Sequence, residues 1–347
     1  MSSRPATRRA ARAAWAAWVA LAAAAAAAGC GGKSRRETIT AATPAPVAPA
    51  DRMLAMLPQG AQVVVEVDLA RLRGNPVLGD VITRVLASGM PLPGAAAAGI
   101  AGEPAAAAGE PAAAAGEPPL AVADAVLLAA YGVGTAQAAT VTLLAARQPI
   151  AGAARIADGV YAVGPEAGTA QVAQRGALLE ASGLIRAEPE LLALRGRAMP
   201  PRAPGAVLRL TARLGFDARV ALARQTGLEA APAQLSIWGD VVDDLAVVVE
   251  ADAADPGDRG ARGAKQAAAR LEAALRGALA SLAAEPAAQA LGLPRSLTGA
   301  KLTVRGTWVR AIIAIGPEHL KRVAARAGAL LPATPDAAPP QGPVPPP

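Results

Sequence analysis

Two distant segments of the chain share one local pattern, in which a short apolar run ends at Gly-Pro-Glu and a helix follows. The first is Val160-Tyr-Ala-Val-Gly-Pro-Glu-Ala167 and the second is Ile312-Ile-Ala-Ile-Gly-Pro-Glu-His319. Proline suits the first position of a helix, where its missing N–H would be unpaired anyway. Glutamate in the first turn complements the positive end of the helix dipole. The pair therefore predicts a strand followed by a helix at each place.

The segments that open the two regions also agree. Pro58-Gln-Gly-Ala-Gln-Val-Val-Val-Glu-Val-Asp-Leu-Ala-Arg-Leu72 resembles Pro204-Gly-Ala-Val-Leu-Arg-Leu-Thr-Ala-Arg-Leu214, and both read as a strand that runs into Ala-Arg-Leu. We therefore expect two similar halves, over residues 51–198 and 199–331, each with the order strand-helix-strand-strand-strand-helix. A chance match in so alanine-rich a sequence is the alternative.

Hydrophobic periodicity supports this division. A helix is expected after Asn75 and Pro76, with its apolar side chains on one face, and its counterpart runs from about Phe216 to Thr226. A further helix over 262–283 is specific to the second half. Strands are predicted near 125–131, 139–146, 245–251, 300–306 and 309–315. Strands in runs, with helices between them, indicate an α+β fold with a mainly antiparallel sheet and helices on one face.

Three segments have the composition of disordered chain. They are a Pro- and Thr-rich tether over 30–50, an Ala-Gly-Glu-Pro insert over 89–119 within the first half, and a Pro-rich tail over 332–347. In the insert, Glu103, Glu110 and Glu117 recur every seven residues. A coiled-coil seam is not indicated, because the repeat lacks large apolar side chains and proline directly follows each of these glutamates.

The N-terminus has the order of a secretory signal. Four arginines precede an apolar run over 13–28, and Gly29-Cys30 follows. The run has about 16 residues, fewer than the roughly 20 needed to span a bilayer. Residues 1–29 are therefore predicted to be a signal peptide.

Ala27-Ala28-Gly29-Cys30 resembles the lipobox of bacterial lipoproteins, although Ala27 stands where leucine is usual. The resemblance implies cleavage before Cys30, a diacylglyceryl group joined to its thiol as a thioether, and acylation of its new amino group, for example with palmitate. It also implies a cell-envelope membrane as the partner of the anchor. Gly31 after the cysteine implies the outer membrane rather than the inner one. An ordinary signal peptide, cut elsewhere, is the alternative.

The start of the mature body also resembles a known group of sequences. Val63-Val-Val-Glu-Val-Asp-Leu-Ala-Arg-Leu-Arg73 and Asn75-Pro76-Val77-Leu78 look like the opening of uncharacterised envelope lipoproteins of the myxobacterial type. The resemblance covers some 25 residues, contains no catalytic motif, and implies no activity.

Residues capable of catalysis are few. His319 is the single histidine, and a position at a helix start explains it better than catalysis does. Acidic residues cluster around the 245–251 strand, where a solvated turn is favoured over a calcium site: Asp240, Asp243, Asp244, Glu250, Asp252, Asp255 and Asp258. Trp238 and Trp308 are assigned to core or sheet positions. We predict no catalytic site, no metal and no cofactor, so the protein is not expected to be an enzyme.

Charge and composition narrow the remaining functions. Four of the positive charges precede Cys30, so the mature chain is only weakly basic, and nucleic acid is not an expected partner. Aromatic residues make up 2% of the chain, which leaves few rings for a ligand pocket. The leading hypothesis is a non-catalytic binding or scaffold lipoprotein with a protein partner in the envelope. The alternative is a carrier that holds a lipid or another apolar ligand between sheet and helices, and a hydrolase using carboxylates alone ranks third.

Overall fold

The computed structural model describes residues 48–88, 118–200, 205–226, 230–253 and 261–331. Within them lie eleven helices: α1 Pro49–Met56, α2 Leu69–Arg73, α3 Gly79–Ala87, α4 Pro119–Val122, α5 Glu166–Ser182, α6 Pro189–Arg195, α7 Phe216–Thr226, α8 Ala261–Ala284, α9 Pro286–Leu291, α10 Pro294–Thr298 and α11 Pro317–Leu330. The ten strands of the same residues are β1 Val63–Asp68, β2 Ala125–Tyr131, β3 Ala139–Ala145, β4 Ala154–Ala157, β5 Val160–Val163, β6 Leu208–Arg213, β7 Gln234–Val241, β8 Leu245–Asp252, β9 Lys301–Arg305 and β10 Trp308–Ile315.

All ten strands form one antiparallel sheet in the order β4-β5-β3-β2-β1-β6-β7-β8-β10-β9. The two halves have the same strand order. From the centre outward, the first half runs β1-β2-β3-β5-β4 and the second runs β6-β7-β8-β10-β9, so in each half the fifth strand lies inside the fourth. The halves meet where β1 pairs with β6, with Val65 opposite Leu210. The α+β class and the antiparallel sheet are thus confirmed, and the two halves share a single sheet.

Each half has five strands, not the four that we predicted. The two strands that we did not predict are β4 in the first half and β7 in the second. β4 is four residues long and carries a register shift between Arg155 and Ala157, so its alternation of side chains is weak. β7 contains Ser236, Gly239 and Asp240, which interrupt the apolar pattern that marks a strand.

Helices cover both faces of the sheet, whereas we predicted one. We call the face to which Val64, Leu127 and Leu143 point the lower face, where they pack with α1 and α5. The neighbouring side chains, including Val126 and Leu144, point to the upper face and pack with α3 and α11. The central strands of the first half are apolar at consecutive positions, and such strands need cover on both sides.

The two Gly-Pro-Glu segments send their helices to opposite faces. α5 follows Gly164 and packs against β3, β4 and β5 on the lower face. α11 follows Gly316 and packs against α3 and α9 on the upper face. The backbone at the two glycines differs, since φ is +156° at Gly164 and −70° at Gly316. The same local sequence therefore starts a helix at both places without fixing its direction.

Helix boundaries follow local capping and composition. The side-chain Oδ1 of Asn75 accepts hydrogen bonds from the N–H groups of Val77 and Leu78, both at 2.9 Å, and so caps the turn that leads into α3. The helix itself begins at Gly79, later than the start after Pro76 that we predicted. α1 begins at Pro49 and α4 at Pro119, each slightly inside a segment predicted to be disordered. The signal peptide, Cys30, most of the tether and of the insert, and the tail lie outside the described residues.

Candidate binding face

The lower face of β9 and β10 is open to solvent. We call it the open strip and define it by the side chains that point to this face: Lys301, Thr303, Arg305, Trp308, Arg310 and Ile312. Ile312 is 36% exposed, whereas its counterpart in the first half, Val160, is 3% exposed and is covered by α5. The two positions have the same place in the repeated pattern, so the difference marks a surface that one half covers and the other leaves open.

The upper face holds the open strip in place. Leu271 and Leu275 of α8 pack there against Val309 of β10, Ala251 of β8 and Leu302 of β9. β10 is also hydrogen-bonded along its whole length to β8, with Trp308 opposite Asp252 and Ile315 opposite Leu245. The strip therefore belongs to a rigid part of the sheet, and its side chains are presented by strands rather than by a loop.

Cations and one tryptophan dominate the chemistry of the strip. The guanidinium of Arg197 lies over the ring of Trp308, 3.5 Å from its centroid. Such a contact contributes about 0.5–1 kcal/mol at an exposed site. Glu250, which is 8% exposed, accepts a hydrogen bond of 2.8 Å from Arg310, and one oxygen lies 4.0 Å from Arg197.

Among the described residues, no carboxylate forms an ion pair with the outer cations of the strip. Lys301 and Arg305 are exposed, and neither forms an ion pair with any residue that the structure describes. Two carboxylates, those of Glu250 and Asp252, lie on the lower face at the inner margin. The strip and this margin carry four cations: Arg197, Lys301, Arg305 and Arg310. The strip is basic overall, with apolar surface from Trp308 and Ile312 between its charges.

The charge cluster at the centre of the lower face is closed by comparison. Glu66 of β1 is 4% exposed, and its carboxylate accepts two hydrogen bonds of 2.7 Å from Arg195 of α6. Arg195 also pairs with Asp51 of α1 at 2.8 Å. Burial lowers the pKa of Arg195, but Glu66 and Asp51 outweigh it, and the net pKa is raised. This cluster fastens α1 and α6 to the sheet, with Glu66 buried and Asp51 at the surface.

Arg209 shares this cluster without a comparable partner. It lies opposite Glu66 across the seam of the two halves, with 3.9 Å between Nη1 and the Glu66 carboxylate. Burial lowers the pKa of Arg209, and repulsion from Arg195 lowers it further. Its Nε is buried with no hydrogen-bond partner among the described residues. Glu66 is thus the carboxylate nearest to two guanidinium groups.

The other side chains considered in the sequence have structural surroundings. His319 sits in the first turn of α11, with Nε2 2.8 Å from the carbonyl oxygen of Gly292 and Nδ1 3.4 Å from the hydroxyl of Ser296. The Trp238 ring is buried, and its Nε1 donates to the carbonyl oxygen of Gly205 at 2.9 Å. Trp308 differs from Trp238, because it is only half-buried and belongs to the open strip.

The acidic residues around β8 do not converge on one point. Asp240 accepts a hydrogen bond of 2.8 Å from Arg71, while Glu250 faces Arg310. Asp244 lies in the turn before β8, where burial and then the neighbouring charge of Asp243 raise its pKa. Asp255 and Asp258 lie outside the described residues. Within the described part of the chain, no group of three His, Cys, Asp or Glu residues is placed to hold a metal ion.

Comparisons with known proteins identify no family and no activity for this chain. No protein-family model matches the chain, and no curated protein matches it significantly. Among solved structures, two crystal forms of TP0453 align with it at 12% and 9% sequence identity. The alignments cover 81% and 80% of this chain and 98% of the other, with TM-scores of 0.37 and 0.39. In the described residues, no helix is both long and apolar enough to cross a bilayer.

The sequence analysis placed Trp308 in the core or sheet and did not find the open strip. Its signal was present, because Lys301, Thr303 and Arg305 alternate with Leu302 and Val304 at the period of a strand. Such alternation says that one face is polar, which is ordinary for a sheet with one face in solvent. It does not say that the matching face of the other half is buried.

Proposed function

We propose that this protein is a lipid-anchored lipoprotein of the cell envelope with a non-catalytic binding role, and that the open strip is its binding surface. Acyl chains on Cys30 would hold it to the membrane, and the outer membrane is favoured because Gly31 follows the cysteine. The observation that carries the binding role is the exposure of Ile312 beside Trp308 and unpaired cations, where the equivalent surface of the first half is covered.

The anchor is supported by the sequence before the body. Cys30 is the single cysteine of the chain, and it follows a signal-like segment that ends in small residues. Acyl chains contribute about 0.8 kcal/mol for each buried methylene, so two or three chains hold a protein firmly. α1, the first helix of the described residues, starts at Pro49, so the predicted tether lies between Cys30 and this helix.

Intact-mass spectrometry of protein extracted from the envelope tests the anchor. We expect a mature chain that starts at Cys30 and carries acyl mass, and we expect Cys30→Ala to lack both. An unlipidated wild-type chain that is cut elsewhere would refute the proposal that the protein is a lipoprotein.

Photo-crosslinking in cells tests the binding surface. A photoreactive amino acid at Thr303 should capture a partner, whereas the same label at Gln171, exposed on α5 of the covered half, should not. Equal capture at both positions, or capture at Gln171 alone, would assign binding to another surface.

The carrier alternative receives no specific support. In the described residues, the layers between sheet and helices are occupied by the protein's own side chains, such as Leu127 and Val172 below the sheet and Leu144 and Leu320 above it.

A further inference from the structure

The two outer edges of the sheet are built differently. β4, at one edge, is short, has a register shift, and is packed by α5. β9, at the other edge, pairs with β10 in continuous register from Lys301 to Arg305. Short, irregular or covered edges resist the addition of another strand, whereas a regular, uncovered edge permits it. Within the described residues, the edge of the sheet is therefore covered at β4 and uncovered at β9.

The hairpin geometry shows which backbone groups of β9 face outward. Gly306 and Thr307 connect β9 to β10, with Arg305 opposite Trp308 and a positive φ at Gly306. In a two-residue hairpin the residues flanking the turn form a hydrogen-bonded pair, and such pairs alternate with non-bonded ones along the strands. Leu302 and Val304 are then non-bonded to β10, so their N–H and C=O groups point away from the sheet.

The side chains of β9 define what can pair with this edge. Lys301, Thr303 and Arg305 point to the lower face, and Leu302 and the exposed Val304 point to the upper face. An added strand places its own side chains beside these in the same alternation. Acidic residues would lie beside Lys301 and Arg305, and apolar residues beside Leu302 and Val304.

A second copy of the chain does not satisfy this edge in the register that pairs all five residues of β9. Antiparallel pairing of β9 with its own copy, centred on Thr303, places Lys301 of each copy opposite Arg305 of the other. Like charges directly opposite each other in a sheet are unfavourable. The charge pattern therefore disfavours self-association and favours a strand of opposite charge.

We propose that β9 binds an extended acidic segment of an envelope protein, which adds to the sheet as a further strand. The inference rests on the proposed binding role of the open strip and names the chemistry of its partner. The segment alternates acidic and apolar residues in the pattern acidic, apolar, neutral, apolar, acidic. Its backbone bonds to Leu302 and Val304, and its carboxylates pair with Lys301 and Arg305.

Fluorescence anisotropy with synthetic peptides tests this on the full-length mature protein in detergent. The probe contains Glu-Val-Thr-Leu-Glu, and its matched control contains Lys-Val-Thr-Leu-Lys. We expect the acidic peptide to bind and the basic one not to. Because each favourable cross-strand charge pair changes affinity by roughly two- to fivefold, Lys301→Glu with Arg305→Glu should reverse the preference.

Backbone pairing is tested separately from charge. Val304→Pro removes an outward N–H without removing a hydrogen bond to β10, and should abolish binding, whereas Val304→Thr should retain it. Circular dichroism and a thermal melt show whether each variant folds. A second test modifies the peptide and leaves the protein unchanged. Methylation of the Val and Leu backbone amides of the peptide should abolish binding, whereas methylation of its Thr amide should not.

The results separate this inference from the binding role itself. Failure of the acidic peptide to bind, equal binding of both peptides, or binding that survives amide methylation would overturn strand addition at β9. If a label at Thr303 still captured an envelope protein in cells, the open strip would remain a binding surface. If the acidic peptide did not bind and the label at Thr303 captured no protein, the proposed binding role of the open strip would also be wrong.

Discussion

The two halves of this protein share a strand order but differ in what covers their lower face. In the first half, α1 and α5 bury Val160 and Ala162 of β5. In the second half, the equivalent residues Ile312 and Ala314 of β10 are exposed. The helix that follows the strand accounts for the difference, because α5 turns to the lower face and α11 turns to the upper one.

A repeated fold can thus produce one half whose sheet is covered on both faces and one half whose lower face is partly exposed to solvent. The first half completes two layers of packing around its strands, and its ionic cluster at Glu66 is enclosed. The second half completes only the upper layer over β9 and β10, with α8 supporting the strip from above. The extra helices of the second half secure its strands from one side and leave the other side exposed.

The largest expected difference between the halves concerns their buried glutamates. Glu66→Ala leaves Arg195 and Arg209 buried without their nearest carboxylate, which should cost about 3 kcal/mol of unfolding free energy. Glu250→Ala should cost about 1 kcal/mol or less, since Arg310 and Arg197 can turn to water. Urea denaturation of both variants measures the two values.

Glu66→Gln is the matched control for side-chain volume, and it should cost nearly as much as Glu66→Ala if charge is the cause. Equal losses for Glu66→Ala and Glu250→Ala would mean that the strip is as enclosed as the centre of the sheet.

A smaller difference is expected at the equivalent strand residues. Val160→Ala removes two buried methyl groups beneath α5 and should cost about 2 kcal/mol. Ile312→Ala removes more carbon from a partly solvated position, yet should cost no more than about 0.5 kcal/mol. Thermal unfolding of the two variants provides the comparison, and a larger loss at Ile312 would show that something covers the strip.

The smallest difference is expected at the two glycines that direct the helices. A Cβ at Gly164 would lie 2.9 Å from the carbonyl oxygen of Thr140, so Gly164→Ala should cost about 1–2 kcal/mol. At Gly316 a Cβ meets no atom within 4 Å and φ is ordinary, so Gly316→Ala should be neutral. Chemical denaturation measures the loss in unfolding free energy for both variants. A neutral Gly164→Ala would show that the backbone conformation of Gly164 does not determine the direction of α5.

The sequence predicts local elements of this fold better than their arrangement. The apolar runs of β2, β3, β8 and β10, the cap at Asn75 and the length of α8 follow from side-chain spacing within each segment. β7 was not predicted because its lower face carries polar residues such as Ser236 and Asp240. Their side chains accept hydrogen bonds from residues that are distant in the sequence. A local pattern cannot anticipate partners such as Arg71.

The binding face is harder to predict than the fold for the same reason. Gly-Pro-Glu indicates a helix in both halves, and nothing in those residues distinguishes α5 from α11. Exposure of Ile312 depends on that choice of face, which tertiary packing decides. Lys301 and Arg305 are visible in the sequence as charges, but their position on an uncovered edge follows from the strand order alone.

The seam between β1 and β6 also shapes how the chain is made. Val65 leaves the ribosome long before its partner Leu210, whereas β2 follows β1 within the same half. Until β6 emerges, a nascent first half carries Val63–Asp68 as a bare sheet edge rich in valine. Two truncated chains could then join through their β1 strands, in a dimer that copies the seam of the complete protein.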